Sequence, residues 1–312
     1  MTRKKIIIDC DPGQDDAVML LLALACPDEL DILGITTVAG NVPLNLTQRN
    51  ARIICELAGV TDIPVFAGCD RPIRRKLITA ENVHGKTGID GVGIYEPTLP
   101  IQNQHAVEFI IQTLMAADDD SVTLVPIGPL TNIGKAIDRQ PDILPKIREI
   151  VLMGGAMREG GNTTPCAEFN ILVDPDAAKI VMQCTRPITI VPLDVTHQAL
   201  VTRERIELFR GLNSTKGDAI VSMMEFFNRF DSEKYGFQGA PLHDPCTIAY
   251  LLKPALFKGK MCNVEVETES ELTLGHTAVD FWAVTEREKN VNWLYEVDAN
   301  GYFALLVERI GA

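Results

Sequence analysis

Residues 6 to 16 read IIIDCDPGQDD, three β-branched apolar residues that run into four carboxylates, Asp9, Asp11, Asp15 and Asp16, around a Pro-Gly turn. A β-branched run with no polar alternate has no solvent face, so Ile6 to Ile8 read as a strand buried on both sides, as in a parallel sheet covered by helices. Ala17 to Ala25 (AVMLLLALA) is a strong helix former, which makes Pro12-Gly13 the turn and puts Asp15 at the helix start. A helix N-terminus favours an acidic group by ~0.3–1 kcal/mol. Each like-charge pair about 5 Å apart costs about 3 kcal/mol at an effective dielectric near 20, so the dipole loses that contest. Any two of these carboxylates would be ordinary turn and capping chemistry. Four of them directly after a buried strand need a cation, and an all-oxygen donor set suits Ca²⁺ or Mg²⁺ rather than zinc. An EF-hand is excluded, because the sixth position counted from Asp9 is Gln14 instead of glycine and a strand leads in.

The same strand-then-helix rhythm continues along the chain. Strands are expected at 5–9, 31–38, 121–126, 149–153 and 187–191, with amphipathic helices at 44–58, 105–117, 129–139 and 175–184, the last starting at Asp174-Pro175. This alternation predicts an α/β fold with an open, mostly parallel, Rossmann-like central sheet flanked by helices. Polar or glycine-rich loops follow several strands, and in such sheets ligands collect beyond the carboxyl ends of the strands. After residue 200 the rhythm changes to helices at 203–232 and 243–252, extended segments at 261–267 and 277–284, and a closing helix at 301–310. The long glycine-rich loops 77–96 and 155–167 are candidates to cover a site.

At 312 residues and 46% apolar, the chain is large enough for one sizeable core, and no linker divides it, so a single domain over 1–312 is expected. A net charge of −13 argues against nucleic acid and anionic membrane surfaces as partners. The longest apolar stretch, 17 to 26, is too short to span a bilayer, and MTRKK runs straight into the first strand with no room for a secretory segment. Eight scattered cysteines without CxxC spacing read as reduced core thiols. A cytoplasmic protein acting on small molecules is expected.

Two further clusters carry chemistry. In PLHDPC (241–246), Asp244 can be a helix cap before Pro245 or another hard-cation ligand, with His243 as its titratable neighbour. His84, in NVHGKTG, and His243 are the two of five histidines placed to exchange a proton near neutral pH; His105 and His197 read as structural. In 154–175, Asn162, Glu168 and Asn170 set amide and carboxylate groups along one segment, the kind of set that grips hydroxyls or simply faces solvent.

DCDPGQDDA (9–17), VAGN (38–41), NVHGKTG (82–88), LVPIGPLTN (124–132), VLMGGA (151–156), AEFNILVDPDAA (167–178), LDVTHQAL (193–200) and PLHDPC (241–246) together resemble the nucleoside hydrolases. The match runs in order from the first strand to the C-terminal third, and is nearest in kind to bacterial ribonucleoside hydrolases that prefer pyrimidine nucleosides. The resemblance implies one nucleoside hydrolase domain that cleaves the N-glycosidic bond of uridine or cytidine to ribose and free base. It implies a Ca²⁺ ion on Asp11, Asp16, the carbonyl of Ile127 and Asp244, which also binds the ribose 2′- and 3′-hydroxyls and a water. Asp15, Asn41, Asn162, Glu168 and Asn170 would grip the ribose, with Met153 beneath it and Phe169 on the sugar or base face. Asp11 would be the general base, and His243, with His84 and Tyr235, would protonate or recognise the base. Gln14 departs from relatives at a position without an assigned role, Asp9 would support the loop from behind, and relatives are commonly homotetramers.

Two competitors share features of the sequence. A haloacid-dehalogenase-like phosphatase also opens on a buried strand and DxD, making Asp9 a nucleophile, but Gly13 stands where Thr or Val belongs and Asp15-Asp16 is unexplained. A non-catalytic nucleoside or sugar sensor would have no need of the base Asp11 beside His243-Asp244.

Overall fold

The first strand, β1 (Lys4–Cys10), sends Ile6 and Ile8 into one hydrophobic core and Ile7 into a second, all three fully buried. The computed structural model describes residues 3–235 and 238–312, with side chains for 3–229 and 238–312. Nine strands join β1: β2 (Leu30–Thr37), β3 (Val65–Ala67), β4 (Ile101–Gln102), β5 (Val122–Pro126), β6 (Ile147–Met153), β7 (Ile188–Val191), β8 (Phe257–Val266), β9 (Thr277–Asp280) and β10 (Val291–Val297). They form one sheet in the order β4-β3-β2-β1-β5-β6-β7-β10-β8-β9. Every pairing from β4 to β10 is parallel, and only β8 is reversed, pairing antiparallel with both β10 and β9. The fold is the expected α/β sheet with a core on each face.

The helix Gln14–Leu24 is buried along its whole length and packs against helices Leu44–Ala58 and Pro245–Leu252. It is therefore apolar all round after its acidic first turn, as a helix sandwiched between others must be. Helices Ala106–Met115, Thr131–Arg139 and Pro175–Met182 fall where the periodicity puts them. The single helix expected over 203–232 is instead two, Arg203–Arg210 and Thr215–Tyr235. Gly211 ends the first, and Asn213 adopts the left-handed conformation (φ 47°) that an uninterrupted helix cannot contain. The helix expected from 243 begins at Pro245, with Asp244 at its N-cap.

Strand β10 was not foreseen. Its sequence, VNWLYEV, buries Val291, Trp293, Leu294 and Val297 between β7 and β8, and the intervening polar residues blur the pattern of a buried strand. Among the described residues no helix is long and apolar enough to cross a membrane. All eight cysteines are unpaired, and six are buried.

Because β1 is central and Ile7 fully buried, Ile7→Ala should lower the unfolding free energy by about 2–5 kcal/mol, the range for an unrelaxed core cavity. Urea unfolding measures it; a loss under about 1 kcal/mol would mean that the sheet closes over the gap.

Candidate active site

The loops beyond the carboxyl ends of β1, β2, β5, β6 and β7 meet on one side of the sheet. Asp16, in the first turn of helix Gln14–Leu24, reaches back to its own loop. Its Oδ1 accepts from Asp11 N–H at 3.1 Å and its Oδ2 from Gly13 N–H at 3.0 Å. Asn41, after β2, donates its backbone N–H to Asp11 Oδ2 at 2.7 Å and its side-chain amide to Asp11 O and Asp16 Oδ2, both at 3.2 Å. Gly40 and Gly128 close on the Asp11 carboxylate from two sides, and a Cβ at either would collide with it. Close backbone approach is what glycine permits here.

Carboxylate oxygens of Asp15, Asp16 and Asp244 lie within 4.8 Å of one another, and all three residues are buried. Asp244 sits at the helix N-cap but makes no capping hydrogen bond with its side chain, which leaves its carboxylate turned to the cluster. Asp11 Oδ1 and Asp15 Oδ1 are buried without a hydrogen-bond partner. Burial, then mutual repulsion, pushes the Asp15 carboxyl up to about 8 and Asp11 and Asp244 well above the carboxylate range; burial raises Asp16. A cluster of buried all-oxygen donors with unfilled lone pairs fits a hard divalent cation, whose charge would offset both costs. Asp15, which the resemblance gives to ribose, belongs to the tight triplet, whereas Asp11 lies beside it.

Asp9 faces away. Its Oδ1 accepts from Thr36 Oγ1 at 2.6 Å and Asn132 Nδ2 at 2.8 Å, and burial lifts its pKa to about 7. It is absent from the cavity lining, where a phosphatase-like nucleophile would have to stand.

Beside the carboxylates lies a cavity of about 320 Å³. Asp15, Asn41, His84, Ile127, Met153, Asn162, Glu168, Phe169, Asn170, His243 and Asp244 line it, so residues far apart in sequence converge as predicted. Asp11 and Asp16 are fully buried and do not line it, and Asp16 adjoins it through Asp15 and Asp244. Tyr235 ends its helix, and its side chain falls outside the described residues. Asn170 donates to Ile127 O at 2.8 Å and Met153 O at 3.2 Å, tying the ends of β5 and β6 together. Glu168 caps helix Phe169–Val173, accepting from Asn170 N–H at 3.0 Å and Gly155 N–H at 2.9 Å. Asn162 Oδ1 accepts from Phe169 N–H at 3.0 Å.

On the other wall, His84 is buried, its pKa lowered to about 3 by desolvation, and its ring stacks on Phe227 at 5.4 Å. His243 Nδ1 lies 2.7 Å from Thr196 Oγ1, and burial, then the neighbouring histidines, drives its pKa well down. His197, read from sequence as structural, also lines the cavity, its ring 6.1 Å from that of His243 and its Nδ1 2.9 Å from Glu159 Oε2. Its position just beyond β7, at the ligand-bearing end of the sheet, was the available signal. His105 is structural as expected, capping helix Ala106–Met115. Phe227 also lines it without any local sequence signature, whereas Thr79 and Asn82 come from the 77–96 loop expected to cover a site.

A family model described as inosine-uridine preferring nucleoside hydrolase matches residues 6–304. The chain belongs to the nucleoside hydrolase family. This nucleoside hydrolase is 48% identical over 308 residues to the pyrimidine-specific ribonucleoside hydrolase RihA of Photobacterium profundum, with 98% of each chain covered. It is 45% identical over 307 residues to an uncharacterized protein of Schizosaccharomyces pombe, covering 98% of this chain and 99% of the other. Among solved structures, the purine-preferring ribonucleoside hydrolase from Gardnerella vaginalis superposes with a TM-score of 0.91 at 32% identity, covering 99% and 98% of the two chains. The plant nucleoside hydrolase PpNRh1 gives the same TM-score and identity over the full length of both chains. The protein is accordingly an N-ribosyl hydrolase acting on ribonucleosides.

Glu168 provides a pH test of this wall. Burial outweighs its backbone hydrogen bonds and lifts its pKa from 4.5 to about 7. The folded state then binds more protons than the unfolded chain between those values, so Glu168 makes stability fall as pH rises from 4.5 through 7, by at most about 3 kcal/mol. In urea unfolding of protein freed of divalent ions, Glu168→Gln should gain on the wild type between pH 4.5 and 7.5; parallel curves would show that Glu168 is not held protonated.

Proposed function

We propose that this nucleoside hydrolase is calcium-dependent and prefers pyrimidine ribonucleosides, uridine and cytidine, which it cleaves to ribose and free base. The observation that carries the reading is the cluster of buried carboxylates at the base of a cavity whose other groups suit a sugar on one side and a base on the other. Support for the pyrimidine preference is the name of relatives 47–49% identical over nearly the whole chain. The eight unpaired cysteines fit a reducing, cytoplasmic setting. Exposed Trp282 and Val284, just beyond edge strand β9, fit a homo-oligomer such as the family's tetramer.

Asp16 and Asp244 would hold the ion, with Asp11, Asp15 and the Ile127 carbonyl bordering it. A bound Ca²⁺ supplies positive charge that keeps these carboxylates ionised and favours deprotonation of a neighbouring water. Asp11 has one carboxylate oxygen pinned by Asn41 N–H and the other free of protein partners, the arrangement of a fixed general base. It takes the proton of the water that attacks C1′. Cleavage builds positive charge on C1′ and O4′, and the carboxylates of Asp11 and Asp15 stabilise it electrostatically. Asn41, Asn162, Glu168 and Asn170 grip the ribose hydroxyls and Met153 lies beneath the ring, converting binding into orientation. Phe169 packs on the sugar. His243, on the opposite wall, serves the departing base with a proton, and His84 and Tyr235 contact that base.

Hydrolysis of uridine should stop on stringent removal of divalent ions and return with added Ca²⁺; unchanged turnover would overturn the metal's role. Asp11→Ala should lower kcat on uridine by roughly 10²–10⁴-fold with a much smaller change in KM, and a near-normal kcat would remove Asp11 as the base.

His243→Ala should lose at least about 10²-fold on uridine and far less on p-nitrophenyl riboside, whose leaving group needs no proton. Equal losses on both substrates would take His243 out of the acid role.

A further inference from the structure

Gln14 looks unremarkable in sequence, yet it is the group that decides which nitrogen of His84 carries the proton. Its side-chain amide faces three protein atoms. Nε2 lies 2.9 Å from the carbonyl oxygen of His84 and 3.3 Å from that of Asp90, and Oε1 lies 2.7 Å from His84 Nδ1. Backbone carbonyls only accept, so the NH₂ end of Gln14 must point at them. The oxygen end is thereby fixed on the imidazole, and Nδ1 must be the donor. A flipped amide would set oxygen against two carbonyl oxygens.

Desolvation holds His84 neutral, with its pKa at about 3, so a proton on Nδ1 leaves Nε2 with a lone pair. Among the described residues no side chain or backbone group pairs with Nε2, and this nitrogen is not among the buried unpartnered atoms. The ring is nevertheless held rigidly. It stacks on Phe227 with an interplanar angle of 23°, and Gly13 packs so closely beneath it that a Cβ there would collide with Nδ1.

We propose that Gln14 is a positioning residue that fixes His84 as the Nδ1–H tautomer, so that its Nε2 presents an acceptor to an N–H or O–H of the bound nucleoside. His84 in this state reads a hydrogen on the substrate and gives none to the leaving base. The inference rests on the proposed nucleoside site and assigns His84 a specificity role within it, leaving proton delivery to the wall carrying His243.

The tautomer is measurable without turnover. In protein labelled with ¹⁵N at its five histidines, and with the His84 signals assigned by their loss in His84→Asn, two-bond ¹H–¹⁵N correlations should show neutral His84 protonated at Nδ1 at pH 7. In Gln14→Leu that tautomer should no longer be exclusive. An Nε2–H ring or an imidazolium in the wild type would overturn the proposal, whether or not the variant folds. In kinetics, Gln14→Leu should lose about tenfold in kcat/KM on uridine, mostly in KM, the size of one hydrogen bond. That deficit should vanish on 3-methyluridine if the imide N–H is the donor, or on 5′-deoxyuridine if the hydroxyl is. The same deficit on both analogues would show a merely structural clamp and overturn the reading role. Absence of hydrolysis of every nucleoside, with the Nδ1–H ring intact, would instead count against the proposed function.

Discussion

The repulsion among four buried carboxylates, Asp11, Asp15, Asp16 and Asp244, is the constraint on which the rest of the structure depends. Each is anchored by covalent or backbone geometry that cannot relax: Asp11 follows the end of β1, Asp15 and Asp16 occupy the first turn of a fully buried helix, and Asp244 is locked before Pro245. Backbone N–H groups of Asp11, Gly13 and Asn41 satisfy some of the oxygens, and glycines at 40 and 128 let the chain come close enough. What remains is charge without a counter-charge from the protein. A central strand end and a buried helix hold together a group of oxygens that could take a cation.

The parts of this that could be read in advance share one property: their signal is local. IIIDCDPGQDD states in eleven residues a strand buried on both faces, a turn and a helix start, and the structure has all three. Periodicity likewise places β2, β5, β6 and β7 and their helices, though not the short edge strands β3 and β4. β10 escaped because Asn292, Tyr295 and Glu296 interrupt its apolar run, and only its neighbours β7 and β8 make it a strand. The break at 211–214 lies within an amphipathic stretch that, on pattern alone, continues. Phe227 joins the cavity through topology, since nothing within a few residues marks it as part of a site, whereas Glu159 lies in a loop expected to cover one and His197 follows β7. Gln14 was visible only as a departure from relatives, because its function lies in partners seventy and more positions away.

The two walls of the cavity are built differently. The sugar side comes from strand ends and short caps fastened to each other: Asn170 spans the ends of β5 and β6, and Glu168 ties its helix to Gly155. Rigid placement of this kind suits groups whose contribution is orientation, where displacement by about 1 Å costs rate. The base side is assembled from the loop carrying His84, the helix carrying Phe227 and the segment carrying His243, which do not belong to the sheet. Differences in base preference among proteins of one fold are therefore expected to arise on that wall.

The charge states of the walls complement this division. An oxocarbenium-like centre is stabilised by the carboxylates only if no positive charge beyond the ion they are proposed to hold cancels their field on the sugar. Two histidines on the opposite wall of the cavity would do so if protonated. Burial prevents it, holding His84 at about 3 and His243 well below its ordinary value. Hydrogen bonds to neutral partners, Gln14 and Thr196, orient the rings without adding the carboxylate that would restore their charge. Pairing each imidazole with an amide or hydroxyl in place of an acid leaves negative potential on the side proposed for the sugar, and His243 would carry charge only while it relays a proton to the departing base.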